Sequence, residues 1–172
     1  MITALIVWVL LSCAVGTIQR GQTQPVGKGT VFFLIDLQNL DSTKVNIGEK
    51  GRLFAMAKAQ VKLKEGKHLY AVFLDSGVYE LNSFIDKNIS IGFNEYLSFQ
   101  PRNPEYTGHD NRGYCDSFIA TPKTNSYAGS MKFVVENDGF FLYCDRSDSA
   151  KKNAVELFGK EFPKLNETYQ LN

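Results

Sequence analysis

Two short apolar runs constrain this chain more than any other feature. Val31 to Leu37 is apolar except for Asp36, and Leu69 to Leu74 is apolar throughout. Both have the length of a strand, and the second ends at Asp75-Ser76-Gly77, a turn signal with Val78 to Leu81 as a plausible return strand. Ala57 to Leu63 alternates Ala57, Ala59, Val61 and Leu63 against Lys58, Gln60 and Lys62. That is the period of a strand with one wet face, although Arg52 to Ala57 also fits a helical turn. Ile91, Phe93, Leu97 and Phe99 share one parity, broken only by Glu95.

The later chain continues in the same manner. Gln100 to Gly113 is the longest loop candidate, with two prolines. Strand-like segments follow at Tyr114 to Ala120, Met131 to Glu136 and Phe140 to Cys144. Asn137-Asp138-Gly139 separates the last two as a tight hairpin turn, because a type I′ turn needs positive φ at both central residues. Ser147 to Phe158 has two readings. Ala150, Ala154, Leu157 and Phe158 fit a helix capped by Ser147 or Asp148, while Asn153 to Phe158 also fits a strand after a polar loop. About eight short strands with turns between them predict an all-β chain. A single antiparallel β-barrel is one solution, a β-sandwich or trefoil the other, with at most one short helix.

Composition narrows the classes. With 172 residues, 44% hydrophobic and 22% charged, the chain can bury enough surface to fold, which excludes low-complexity disorder. One domain is expected at this length. A net charge of +1 gives no basis for nucleic acid as partner.

Met1 to Gly16 has no charged residue, and Ala4 to Leu11 is an unbroken apolar run. A membrane-spanning helix needs about 20 apolar residues, so this run suits the core of a secretory signal peptide instead. Ala14-Val15-Gly16 offers small residues for cleavage after Gly16. The alternatives are a lipobox at Leu10-Leu11-Ser12-Cys13 and a buried N-terminal strand. Residues 1–16 are therefore expected as a signal peptide, 17–28 as a flexible polar leader and 29–172 as one β-rich domain, secreted and without a transmembrane segment. Cleavage leaves no tryptophan and an even pair of cysteines, Cys115 and Cys144, which in an oxidising compartment are expected to bridge. The loop so closed would stabilise the fold by about 3–4 kcal/mol. Asn88-Ile-Ser90 and Asn166-Glu-Thr168 are sequons for N-glycosylation in a eukaryotic source.

No catalytic signature stands out. The chain lacks a Gly-x-Ser-x-Gly elbow, a His-Glu-x-x-His and a Cys-x-x-Cys. Gly21 to Gly29 has the look of a phosphate loop but five intervening residues instead of four, and Gly29 rather than Ser or Thr directly follows Lys28. His68 and His109 are the only imidazoles, and neither has a partner at ligand spacing. His109-Asp110 therefore reads as a surface pair, and Asp145 with Asp148 as part of a solvated loop. No enzyme, metal or cofactor is expected. Lys44, Lys50, Arg52, Lys58, Lys62, Lys64 and Lys67 face only Glu49 and Glu65 between residues 44 and 67. That stretch reads as the wet face of an edge strand whose lysines block edge pairing, with a patch for polyanions or an anionic membrane as the functional alternative.

Cys115-Asp-Ser-Phe-Ile-Ala-Thr-Pro-Lys-Thr, Tyr127-Ala-Gly-Ser-Met-Lys-Phe133, and Phe140 to Cys144 followed by Glu156-Leu-Phe-Gly-Lys160 resemble the later strands of the lipocalin family. The likeness spans roughly Gly113 to Lys164. The family's Gly-x-Trp has no counterpart, Gly66-Lys-His68 standing at a compatible spacing, and its long C-terminal helix is absent. The resemblance implies a barrel with Tyr70, Phe73, Phe93, Phe133 and Phe141 as cavity wall and Lys160 over the closed end. The expected function is secreted, non-enzymatic carriage of a small hydrophobic ligand. The alternative is a filled module contacting an extracellular host or matrix protein, or a polyanion, through Lys44 to Lys67 and the Gln100 to Gly113 loop.

Overall fold

The computed structural model describes residues 17–38, 44–51, 57–85, 90–92, 117–136, 139–145 and 147–171. Its strands are β1 (Lys28–Gln38), β2 (Lys44–Glu49), β3 (Ala59–Lys62), β4 (Gly66–Asp75), β5 (Gly77–Ile85), β6 (Ser90–Gly92), β7 (Phe118–Ala120), β8 (Thr124–Glu136), β9 (Gly139–Asp145) and β10 (Gln170–Leu171). The helices are α1 (Asp148–Glu161) and α2 (Pro163–Thr168). The chain is thus mostly strand.

The strands form two sheets. In the first, β4 pairs with β1 and β1 with β8; the far side of β8 is shared by β10 at its start and β9 at its end. In the second, the order is β3, β2, β5, with β7 and β6 along the far side of β5. Both β1 and β10 run parallel to β8, so the first sheet is mixed, and no closed barrel is found among the described residues.

A strand apolar at every position needs cover on both faces, and β1 and β4 have it. Val31, Phe33, Ile35 and Leu37 of β1, with Tyr70, Val72 and Leu74 of β4, face the second sheet. There they meet Val45, Ile47, Ala59, Val61, Tyr79, Leu81 and Phe118 in one buried cluster. The other parity, Phe32, Leu34, Leu69, Ala71 and Phe73, packs under the helices against Ala154, Phe158, Phe162 and Leu165. The layers are therefore helices, first sheet and second sheet. The alternation predicted for Ala57 to Leu63 is present where β3 forms: Ala59 and Val61 are buried and Lys62 is exposed, because the outer face of the second sheet is wet.

Several local expectations change. Asp75-Ser76-Gly77 is not a hairpin, for β5 does not pair with β4 but crosses into the second sheet. One intervening residue is too few for a hairpin loop. The Tyr79 hydroxyl donates to the Asp75 carbonyl across this bend at 3.0 Å. Ser147 to Phe158 is helical: the Ser147 hydroxyl accepts from the Ala150 amide, and apolar cover for Ala154 and Phe158 selects the helix period. A second helix, α2, exceeds the single one expected, and Pro163 in its first turn starts it without the loss of a needed donor. The β8–β9 hairpin forms as predicted, Glu136 opposite Gly139, with 137 and 138 outside the described residues.

Two points fix the ends. In the leader, the Ile18 amide donates to the Ala71 carbonyl at 2.9 Å, and Gln24 is buried with its amide on the Thr30 hydroxyl. Asn125 of β8 donates to the carbonyls of Leu165 and Tyr169, tying α2 and the chain after it to the sheet.

Candidate functional site

The expected cavity wall does not gather on one surface. Tyr70 and Phe133 are buried between the sheets, whereas Phe73 has the opposite parity and lies under the helices. Phe93 and the Phe141 side chain are outside the described residues. The Tyr70 hydroxyl accepts the Lys64 amide at 2.8 Å. Burial pushes this phenol above its ordinary pKa, and the hydrogen bond opposes that only in part.

Lys160 is exposed in the last turn of α1, on the helix-bearing side of the first sheet. Asn166 is exposed on α2, and the Thr168 hydroxyl of the same sequon donates to the Lys164 carbonyl. Asn88 lies outside the described residues. Cys144 of β9 is half-buried against the intersheet cluster; Cys13 and Cys115 lie outside. His68 donates from Nε2 to the Glu65 carbonyl at 2.8 Å, closing the turn before β4, and so has a structural partner. His109 and the Gln100 to Gly113 loop are outside the described residues.

The lysine-rich stretch maps to the outer face and edge of the second sheet. β3 is an edge strand of that sheet, as the lysine pattern suggested. Lys58 bonds Glu49 at 3.1 Å, while Lys44 stands directly opposite Lys62 across the β2–β3 pair. Like charges in that register oppose pairing. The hydrogen bond from the Gln60 amide to Asn46, at 3.0 Å, fills the adjacent position. Farther across the same sheet, Val78 and Ile119 are cross-strand partners left 45% and 62% exposed. The outer face is thus basic at one edge and apolar toward β7.

A cleft of about 390 Å³ opens on the other side of the molecule. It lies beside the first turn of α1, which begins at Asp148. Asp36, the sole charge in the first apolar run, sits there with Lys67 and Lys132 in register on either side. Ser130, Asp145 and, from α1, Ser149 and Asn153 complete the polar lining, with Leu34 and Ala150 as apolar walls. Asp36 accepts the Gln38 amide at 3.1 Å, and Asp145 accepts the Ser147 amide at 2.8 Å. This group escaped the sequence reading. Its one legible signal was a carboxylate interrupting an otherwise apolar strand.

Among the described residues no cluster of three metal-ligating side chains is present, and no helix is long and apolar enough to cross a membrane. No protein-family model, no curated protein and no solved structure matches this chain.

Proposed function

We propose that the protein is a secreted, non-enzymatic binding module that works through its outer surface around a filled core, contacting an anionic extracellular protein or polyanion. The observation that carries this reading is the packing between the sheets. Side chains from both sheets, among them Phe33, Tyr70, Tyr79 and Phe133, are buried there in one continuous cluster. With the interior occupied, binding falls to the surface, and Lys44, Lys62 and Lys64 are exposed along one edge of the second sheet. In this reading Cys115 bridges to Cys144 after export, and Asn88 and Asn166 are sites for glycans.

The test is retention on a heparin column. The protein should be held and released by salt, and replacing Lys44, Lys62 and Lys64 by Gln should shift elution to markedly lower salt, since each released counterion contributes to the dependence. Elution indifferent to salt, or unchanged in that variant, overturns the surface reading. Carriage of a small hydrophobic ligand inside the shell is the second reading. The aromatic richness of the intersheet layer favours it, and it requires the buried cluster that holds Tyr70 and Phe133 to open. Native mass spectrometry with added fatty acid decides that: an interior that takes up nothing removes it.

A further inference from the structure

The first sheet ends on β4, a strand of 10 residues with β1 on one side and, among the described residues, no strand on the other. An open edge of that length is a template for a further strand unless the sequence blunts it. β4 carries none of the usual safeguards. It has no proline, its register with β1 runs without a bulge, and Leu69 to Leu74 is free of charge.

The Ala71 carbonyl accepts the Ile18 amide at 2.9 Å and so points away from β1. Strand alternation then turns the main-chain groups of Leu69 and Phe73 to the same side. Among the described residues, the amides of Leu69, Ala71 and Phe73 meet no acceptor there. Lys67 and Asp75, both exposed, share that parity and stand equally far along the strand from Ala71. A second β4 laid antiparallel about a two-fold axis at Ala71 therefore sets Leu69 opposite Phe73, and Lys67 opposite Asp75 at both ends of the pair. Moving the axis to Leu69 sets Lys67 against Ala71, and moving it to Phe73 does the same to Asp75. Charge complementarity thus selects another copy of this chain, and one register of it. Asp75 already bonds Lys28 at 3.3 Å, but its side chain is 71% exposed and has room for a second cation.

The leader lies across this axis. Ile18 is buried in the helix-side cluster beside Leu69, Ala71 and Phe73, and its amide occupies the Ala71 carbonyl. From Gln19 to Thr23 the leader is exposed and folds on itself, the Gln22 amide donating to the Gln19 carbonyl; its next buried anchor is Gln24. One apolar side chain and one hydrogen bond hold this strap in place. Both must release before a second strand can reach the edge.

We propose that β4 pairs with β4 of a second copy about this two-fold axis, and that the leader keeps the edge closed through Ile18 until it is displaced. The surface is separate from the lysine edge of the second sheet, so neither reading needs the other.

The experiment measures solution mass by sedimentation equilibrium, from micromolar to millimolar concentration, on the full chain and its Ile18→Asp variant. The parent should stay monomeric, and the variant, whose new charge cannot stay in the helix-side core, should form dimers. Ile18→Ala releases the strap without adding a charge and should dimerise at higher concentration, which covers a folding defect in the first variant. Amide hydrogen exchange then locates the contact: Leu69 and Phe73 should exchange quickly in the parent and become protected in the dimer. Ala71→Pro, added to either variant, deletes an outward amide that β1 does not use and should abolish the dimer. Lys67→Gln in the same background removes both charge pairs and should weaken it by about fivefold. Monomers in both folded Ile18 variants overturn the proposal. So does a dimer that leaves the Leu69 and Phe73 amides unprotected or that is indifferent to Ala71→Pro, and indifference to Lys67→Gln overturns the register. A parent that already dimerises through this edge overturns the gate.

Discussion

Gly29 is the point where β1 meets the corner between β7 and β8, and there the backbones touch. A Cβ on Gly29 would lie 2.8 Å from the Thr121 carbonyl carbon and 2.9 Å from its nitrogen. These are main-chain atoms of a turn already held by the Thr124 amide and hydroxyl, both donating to the Thr121 carbonyl, and by the Lys123 amide donating to Lys28. Nothing there yields cheaply. Gly29→Ala should therefore lower stability by about 1–3 kcal/mol, the range of forced overpacking, read from the urea midpoint at constant slope. An unchanged midpoint would mean that the corner is loose. A second residue-scale effect concerns Tyr79. Burial first, then the Asp75 and Glu49 charges, hold its phenol above the ordinary value of about 10. A raised folded pKa means that the native state keeps the proton longer than the unfolded chain. Its stabilising contribution is complete below about pH 10 and is lost as pH climbs through the folded value. Tyr79→Phe should thus flatten the alkaline loss of stability relative to the parent, and equal slopes above pH 10 would refute that assignment. At neutral pH the same variant loses only the bond to the Asp75 carbonyl, worth about 1 kcal/mol.

Elements were legible where one local rule dominated and illegible where a neighbour decided. The runs Val31 to Leu37 and Leu69 to Leu74 formed strands, and Glu136 opposite Gly139 closed the expected hairpin, because apolar content and turn chemistry act over a few residues. Ser147 to Phe158 satisfied two periods, and the choice came from the apolar face of the first sheet beneath it, which no window of sequence displays. The same holds for the bend at Ser76, where strand continuation into another sheet resembles a hairpin in one dimension. The bulge in β8 is a third case. The register with β1 passes from Phe32 opposite Tyr127 to Leu34 opposite Ser130, so β8 carries one extra residue there, and Gly129 accommodates it at φ +126°. That extra residue lets Tyr127 face the helices while Met131 and Phe133 face the second sheet. The cleft was the least legible part, since Asp36, Lys67 and Lys132 are adjacent only through pairing of three strands far apart in sequence. The argument for α1 is testable at its own scale. Phe158 is buried, stacks on Phe32 and lies 5.5 Å from Phe162 between centroids. Phe158→Ala should lower stability by about 3–5 kcal/mol. A cost below about 1 kcal/mol would show that the helix rests on the sheet without being held by it.

For the molecule as a whole, the decisive circumstance is that one sheet serves two cores. Loss of the helix layer would leave Phe32, Leu34, Leu69, Ala71 and Phe73 facing water, and loss of the second sheet would do the same to Phe33, Ile35, Leu37 and Val72. Each buried side chain of this kind stabilises by about 1.5–3 kcal/mol. Either loss thus removes an amount comparable to the whole net stability of an ordinary domain, about 5–15 kcal/mol. Neither half should persist alone. The expected outcome is a single unfolding transition in which the helical signal at 222 nm and the near-ultraviolet signal of the tyrosines, including buried Tyr70 and Tyr79, fall together. Phe158→Ala, placed in the helix-side core only, should move both curves by the same amount. If the 222 nm curve moves to lower denaturant while the tyrosine curve stays, the helices are a detachable layer on a self-sufficient pair of sheets. The cleft walled by the first turn of α1 would then open and close with that layer.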